Sequence, residues 1–201
     1  MSKSLSDYLS NNKKKNLIFD FDETIVRLIL PWEKSTDRIK DDLINLDSKP
    51  LKEYKKSKIS FSVLQNTYVR GFGEKALKLF LRNNLLFESE DLIDYLENPN
   101  IIDFIKNEKD YNFLIWSSNT KPVINKVLGE LEISNKFSKI VSREDVKLLK
   151  PYSEGFDRLY SGDSKSNYLF IGDSWSDREA AEKVGIDFYL EEYFNVPGKY
   201  W

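Results

Sequence analysis

Four short stretches of this 201-residue chain carry side chains suited to chemistry on a substrate. Asp20 and Asp22 follow the apolar run at 17–19, Ser117, Ser118 and Asn119 follow the run at 113–116, and Asp173 and Asp177 follow the run at 168–172. Lys150, with Pro151 after it, stands between the last two. Short continuous apolar runs read as strands buried on both faces, and open α/β sheets bind ligands at the carboxyl ends of such strands. Three strand ends would therefore gather Asp20, Asp22 and Asp173 beside a hydroxyl and an ammonium. Crowded carboxylates repel and raise one another's pKa unless positive charge compensates. With oxygen donors alone, the compensating ion of first choice is Mg2+, which keeps waters and a substrate phosphate oxygen in its shell. Phosphoryl transfer suits this set, because its equatorial oxygens need positive charge and hydrogen-bond donors.

Two absences narrow the field further. The chain has no histidine and no cysteine. Ser-His-Asp and Cys-His machinery, imidazole zinc sites, thiolate metal sites and disulfides are all excluded. The 31 Lys+Arg against 33 Asp+Glu leave a net charge of −2, which speaks against nucleic acid or an anionic membrane as a partner. No apolar run approaches the ~20 residues of a membrane span, and the first 15 residues lack the apolar core of a secretory signal. A cytoplasmic location is expected.

The elements that must position these residues follow from periodicity. Strands are expected at 16–21, 111–118, 137–142, 167–174 and 186–190, with helices at 121–131, 151–160 (Pro151 in its first turn) and 177–186. Strand–helix alternation at this spacing predicts an α/β fold, a doubly wound parallel sheet with helices on both faces. Residues 27–98 differ, being rich in Leu, Ile and Lys at helical spacing and broken by Pro31, Pro50 and the Gly71–Gly73 pair. Helices are expected at about 36–46, 59–69, 74–84 and 89–97, no strand, and a loop or solvated helix at 47–60. The organisation predicted is an α/β core, 1–26 and 99–201, interrupted by a mostly α-helical insertion, 27–98.

The ordered set Asp20–Val26 (DFDETIV), Ser117–Thr120 (SSNT), Lys150-Pro151 and Gly172–Asp177 (GDSWSD) resembles the four motifs of the haloacid dehalogenase superfamily. The resemblance covers residues 20–177 and implies a Rossmann-like core with a helical cap that closes over the site and excludes water. It implies a phosphatase acting on a small phosphorylated metabolite. Asp20 would be the nucleophile and Asp22 the general acid and base, with its backbone carbonyl on Mg2+. Thr24 would fix Asp22 through its hydroxyl. Thr24, Ser118, Asn119 and Lys150 would make up the substrate-binding set, with Ser118 favoured over Ser117 as the hydroxyl and the Asn119 backbone on the phosphoryl group. Lys150 would offset negative charge, and Asp20, Asp22, Asp173 and Asp177 would form the metal site. An aspartate two residues after the nucleophile separates phosphatase and phosphomutase members from the dehalogenases, so Asp22 is the discriminating residue.

Two alternatives stay open. One is a phosphomutase acting on a sugar phosphate, which isomerisation without phosphate release would reveal. The other is a non-catalytic binding or regulatory protein, which loss of Asp20, Asp22, Lys150 or Asp173 would signal; all four are present. Several residues read more plainly. Asp177 is also a good N-cap, Trp116 and Trp175 are expected to pack against the sheet, and Arg70 to make a surface salt bridge. Gly71 and Gly73 are expected to form a helix–helix turn, Lys13–Lys15 a solvated lead-in, and the aromatic tail Tyr193, Phe194, Tyr200 and Trp201 to dock on the domain or a partner. The oligomeric state is not legible.

Overall fold

The computed structural model describes residues 4–194. The first half of the chain forms α1 (Leu5–Asn11), β1 (Asn16–Phe19), β2 (Val26–Ile29), α2 (Lys40–Lys55), α3 (Phe61–Glu90), β3 (Asp94–Glu97) and α4 (Pro99–Asn107). The second half alternates through β4 (Asn112–Trp116), α5 (Lys121–Glu130), β5 (Phe137–Val141), α6 (Glu154–Leu159), β6 (Tyr168–Gly172), α7 (Trp175–Val184) and β7 (Asp187–Leu190). Five strands form one parallel sheet in the order β5-β4-β1-β6-β7. The chain runs outward from β1 to β4 and β5, then returns to the other side of β1 with β6 and β7. The winding direction reverses at β1, and a reversal of this kind opens a crevice at the carboxyl ends of the strands. Phe19 is in register with Ile115 of β4 and Ile171 of β6, so Asp20 leaves the sheet level with both neighbours.

All four residues of β1 are buried, Asn16 included, and the apolar run Leu17–Phe19 fits burial on both faces. Leu17 and Phe19 face one layer with α1, α4 and α5, while Ile18 faces the other with α6 and α7. Burying each such side chain contributes roughly 1.5–3 kcal/mol, so the strand that carries Asp20 is held from both sides. A third cluster, Leu43, Leu51, Leu64, Tyr68 and Phe80 among others, joins α2 and α3 into a helical cap with its own core.

The cap differs in detail from expectation. One helix, α3, spans 61–90 where two were expected, and is interrupted only at Gly73 (φ 59°, ψ −137°), a conformation that a side chain would oppose. Helix α2 runs through 47–55 as well, restarting after extended Asp47, whose carboxylate accepts from the Lys49 amide at 2.9 Å ahead of Pro50. The expected helix at 89–97 is absent: Asp94–Glu97 pairs antiparallel with Val26–Ile29. Pairing with a strand so distant in the chain overrides local helical preference. Pro99 starts α4 rather than ending an element, with the Asn98 side chain accepting from the Ile101 amide at 3.4 Å. Pro151 precedes α6 instead of standing in its first turn.

The segment from Ser4 to Lys14 is also more engaged than expected. Ser4 and Asp7 form a capping box on α1, and Leu5 and Leu9 are buried. Lys14 pairs with Asp187 and donates to the Ser166 carbonyl at 2.7 Å, so it is not a merely solvated lead-in residue. Phe194 is buried with the Arg27 guanidinium 5.0 Å from its ring centre, whereas Tyr193 is exposed. Tyr200 and Trp201 lie outside the described residues. No helix among the described residues is long and apolar enough to cross a membrane.

Candidate active site

Asp20 stands where β1 stops, its amide donating to the Ile171 carbonyl of β6 at 2.9 Å. The chain then turns tightly. The Ile25 and Val26 amides both donate to the Phe21 carbonyl, at 3.0 and 3.2 Å, and Glu23 adopts a left-handed φ of 67°. This turn aims Asp22 back over the strand end, where its Oδ1 accepts from the Leu28 amide at 2.8 Å.

Lys150 joins the two sides of the site. Its Nζ lies 2.8 Å from Asp20 Oδ1 and 2.5 Å from Asp177 Oδ1, and 5.2 Å from the centre of the Phe170 ring. Asp177 Oδ2 accepts from the Ser174 hydroxyl at 2.6 Å and the Ser174 amide at 3.1 Å, one half of a capping box. Ser174, not Asp177, is therefore the N-cap of α7, and Asp177 both closes the cap and pairs with Lys150. Asp20, Asp173 and Asp177 are all buried and offer carboxylate oxygens within 4.8 Å of one another. Gly172 permits this arrangement, since a Cβ there would meet Asp177 Oδ2 at 2.7 Å.

Burial, assisted by Asp177, pushes the Asp20 carboxyl up to about 6, against the opposing pull of Lys150 and the Phe21 amide. Burial would lower the Lys150 ammonium, but Asp177 and Asp20 more than reverse that and hold it above its ordinary value. Two of these buried carboxylates, Asp20 and Asp177, share the Lys150 ammonium. The donors are three buried carboxylates, hard oxygens that fit a divalent cation such as Mg2+. The side chain of Asp22 is not one of this group, and the ligand expected of Asp22 is its backbone carbonyl.

Asp20, Asp22, Lys150 and Asp173 line a cavity of about 490 Å3 at the strand ends, with Phe61 and Ser62 of α3 contributing from the cap. Ser118 also lines it, whereas Ser117 is buried with its Oγ donating to Asn119 Oδ1 at 2.9 Å. Asn119 reaches the cavity, but its amide is committed to Ser117 Oγ at 3.1 Å rather than free for a phosphoryl group. Thr24 does not act as expected. It is fully buried and not among the residues that line the cavity, its hydroxyl has no hydrogen-bond partner among the described residues, and Asp22 accepts from the Leu28 amide.

Several site residues escape a reading of local pattern. Arg143 is buried yet lines the cavity, donates to Gln65 Oε1 of α3, and stands 5.5 Å from the Phe61 ring centre. Its Nε has no hydrogen-bond partner among the described residues. Applying the strand-end rule to β5, which ends at Val141, would have found it. Glu88 of α3 accepts from the Thr120 amide at 2.6 Å and hydroxyl at 2.7 Å, standing in for a side-chain cap on α5. Burial raises the Glu88 carboxyl, opposed by Arg143 and by the Thr120 bonds. Asn66 of α3 accepts from the Leu149 amide at 2.8 Å and donates to the Leu149 carbonyl at 3.1 Å, bracing the segment that carries Lys150. Trp116 packs in the sheet as expected, stacked on Phe170 at 5.1 Å. Trp175 does not; it is exposed at the cavity. Arg70 makes no salt bridge among the described residues but donates to the Tyr152 hydroxyl at 3.0 Å.

Fold and site together define a doubly wound α/β protein with a helical cap and a lysine-braced, all-carboxylate centre. The model of the haloacid dehalogenase-like hydrolase family matches residues 17–190, and the chain belongs to that family. Among solved structures, it is similar to a predicted phosphoglycolate phosphatase from Haemophilus somnus (21% identity, TM-score 0.61, covering 92% of this chain and 89% of the other). It is also similar to a protein from Lactobacillus plantarum provisionally described as a phosphoglycolate phosphatase (16%, TM-score 0.60, 93% and 90%). A third likeness is to the magnesium-bound YfnB from Bacillus subtilis, provisionally described as a HAD hydrolase (20%, TM-score 0.54, 94% and 94%). At these identities the likeness is one of fold. No curated protein matches the chain in sequence.

Proposed function

We propose that the protein is a Mg2+-dependent phosphatase that hydrolyses a small phosphorylated metabolite through an aspartyl-phosphate on Asp20. The observation that carries this reading is the pairing of Asp20 with Lys150 at 2.8 Å, in one buried group with Asp173 and Asp177, on a cavity that Asp22 also lines. The phosphatase descriptions given to two of the similar structures support the same class of reaction.

The Asp20 carboxylate attacks phosphorus as the ester P–O bond breaks, and Asp22 gives its proton to the departing alkoxide. Asp22, now ionised, takes a proton from a water whose oxygen attacks the same phosphorus. The bond to Asp20 breaks and its carboxylate is regenerated. Lys150 keeps Asp20 ionised and oriented. Ser118 and Arg143 present a hydroxyl and a guanidinium to the phosphoryl oxygens, and α3 restricts water. Asp20, Asp173 and Asp177 would hold Mg2+, which supplies positive charge against the phosphoryl oxygens.

The test is phosphate release from a panel of phosphorylated metabolites and p-nitrophenyl phosphate, with Mg2+ or EDTA, beside Asp20→Asn. Release that requires Mg2+ and vanishes in the variant is expected. Release indifferent to EDTA would overturn the metal site, and an active Asp20→Asn would overturn the nucleophile. Isomerisation of a sugar phosphate without release would make the protein a mutase.

A further inference from the structure

The catalytic cavity does not end at the carboxylates. Beside it lies a second space of about 730 Å3, and Trp32, Tyr54, Ser60 and Trp175 line both. Either volume falls in the ~300–1,000 Å3 range of sites that enclose a whole organic ligand, far more than a two-carbon acid needs beyond its phosphate. The shared wall is aromatic. Trp175, two residues after Asp173, is 41% exposed and makes no ring–ring contact among the described residues. Trp32 is 37% exposed although its ring lies 5.5 Å from Phe87 and 6.3 Å from Phe61. Tyr54 is fixed by a 2.7 Å bond to Ser35 Oγ and a ring contact with Phe61, which orders the wall before any ligand arrives. Lys55 is similarly held, donating to the Glu33 carbonyl at 2.8 Å, and Lys58 and Ser57 supply donors at the outer rim.

An exposed tryptophan pair beside a reacting centre leaves apolar ring surface in water, which a flat ligand would cover. Resting on the phosphatase reading, we propose that this annex binds the leaving group of the substrate. The substrate class is then a phosphate monoester whose alcohol carries a planar aromatic heterocycle, as in a nucleoside monophosphate. The phosphate lies among Asp20, Lys150 and Arg143, and the ring stacks on Trp175 and Trp32 with its heteroatoms toward the lysine rim. Stacking of a base on an aromatic side chain is independent of base identity, so discrimination here is for ring over no ring.

The experiment compares kcat/KM for the nucleoside 5′-monophosphates, FMN and pyridoxal 5′-phosphate with that for phosphoglycolate and ribose 5-phosphate, in Mg2+. At least one aromatic ester should exceed ribose 5-phosphate by roughly tenfold or more. Trp175→Ala should lower that ratio by ~5- to 100-fold, and Trp175→Phe should restore most of it, with circular dichroism showing each variant folded. Equal or better turnover of phosphoglycolate or ribose 5-phosphate would overturn the proposal, as would a ratio that neither Trp175→Ala nor Trp32→Ala moves. If no ester is turned over, the phosphatase reading fails separately. Quenching of tryptophan fluorescence by adenosine or cytidine, lost in Trp175→Ala, would then still support the annex, and its absence would sink that too.

Discussion

Replacing Asp20 by Asn should abolish turnover and yet stabilise the metal-free protein. A carboxyl held near 6 in the folded chain against 3.8 when unfolded makes the folded state bind more protons across that interval. Its contribution to stability is present below pH 3.8 and is lost as pH rises through about 6. At 1.36 kcal/mol per pKa unit, ionised Asp20 costs the metal-free fold up to about 3 kcal/mol at pH 7.5. The isosteric amide is spared this cost. For a domain of this size a gain of about 3 kcal/mol corresponds to roughly 6–12 °C in Tm. Thermal melts in EDTA at pH 4, 5.5 and 7.5 would show the wild type and variant together at pH 4 and diverging as pH rises, the variant higher. Saturating Mg2+ at pH 7.5 should raise the wild type far more than the variant, because the ion binds only the folded protein and needs the missing charge. A variant that melts below the wild type at pH 7.5 in EDTA, or a gap that does not change with pH, would refute the charge balance ascribed to the site.

Three further outcomes follow from contacts around the site. Gly172→Ala places a Cβ 2.7 Å from Asp177 Oδ2, which must move away from Lys150; activity should fall at least ~10-fold and Mg2+ affinity should weaken, as metal titrations would record. Glu88→Ala removes the acceptor for the Thr120 amide and hydroxyl and the buried counter-charge of Arg143, so urea unfolding should show a loss of about 3 kcal/mol, with Glu88→Gln losing less. Gly155→Ala sets a Cβ 2.0 Å from Trp116 Nε1 in the core beneath the sheet and should destabilise by at least about 1–3 kcal/mol, read by the same unfolding curves.

Much of the core is legible in the sequence because its signals are local. The run Leu17–Phe19 is apolar at every position, which a strand covered on both faces requires, and the acids directly after it fall at the strand end. The helices of the second half show their apolar stripes in the same way, and Gly185, at φ 73°, ends α7 where a left-handed residue is needed. The cap reads less well. The restart of α2 at Asp47 and the passage of α3 through Gly71 depend on packing between the two helices, and the ribbon of Val26–Ile29 with Asp94–Glu97 depends on a partner far along the chain.

The sequence by itself determined the α/β alternation and the set of charged residues at the strand ends, since both are written in patterns a few residues long. Tertiary structure alone decided which strands are neighbours, and hence that Asp20 and Asp177 share Lys150. It also decided that Thr24 is sealed in the interior, that Arg143 meets Gln65 across 78 residues, and that Glu88 caps a helix 32 residues away. The exposed wall of Trp32, Tyr54 and Trp175 belongs to the same category. The physical reason is common to all of them: what surrounds a side chain in the fold comes from elements distant in sequence, and no periodicity in the chain encodes those neighbours.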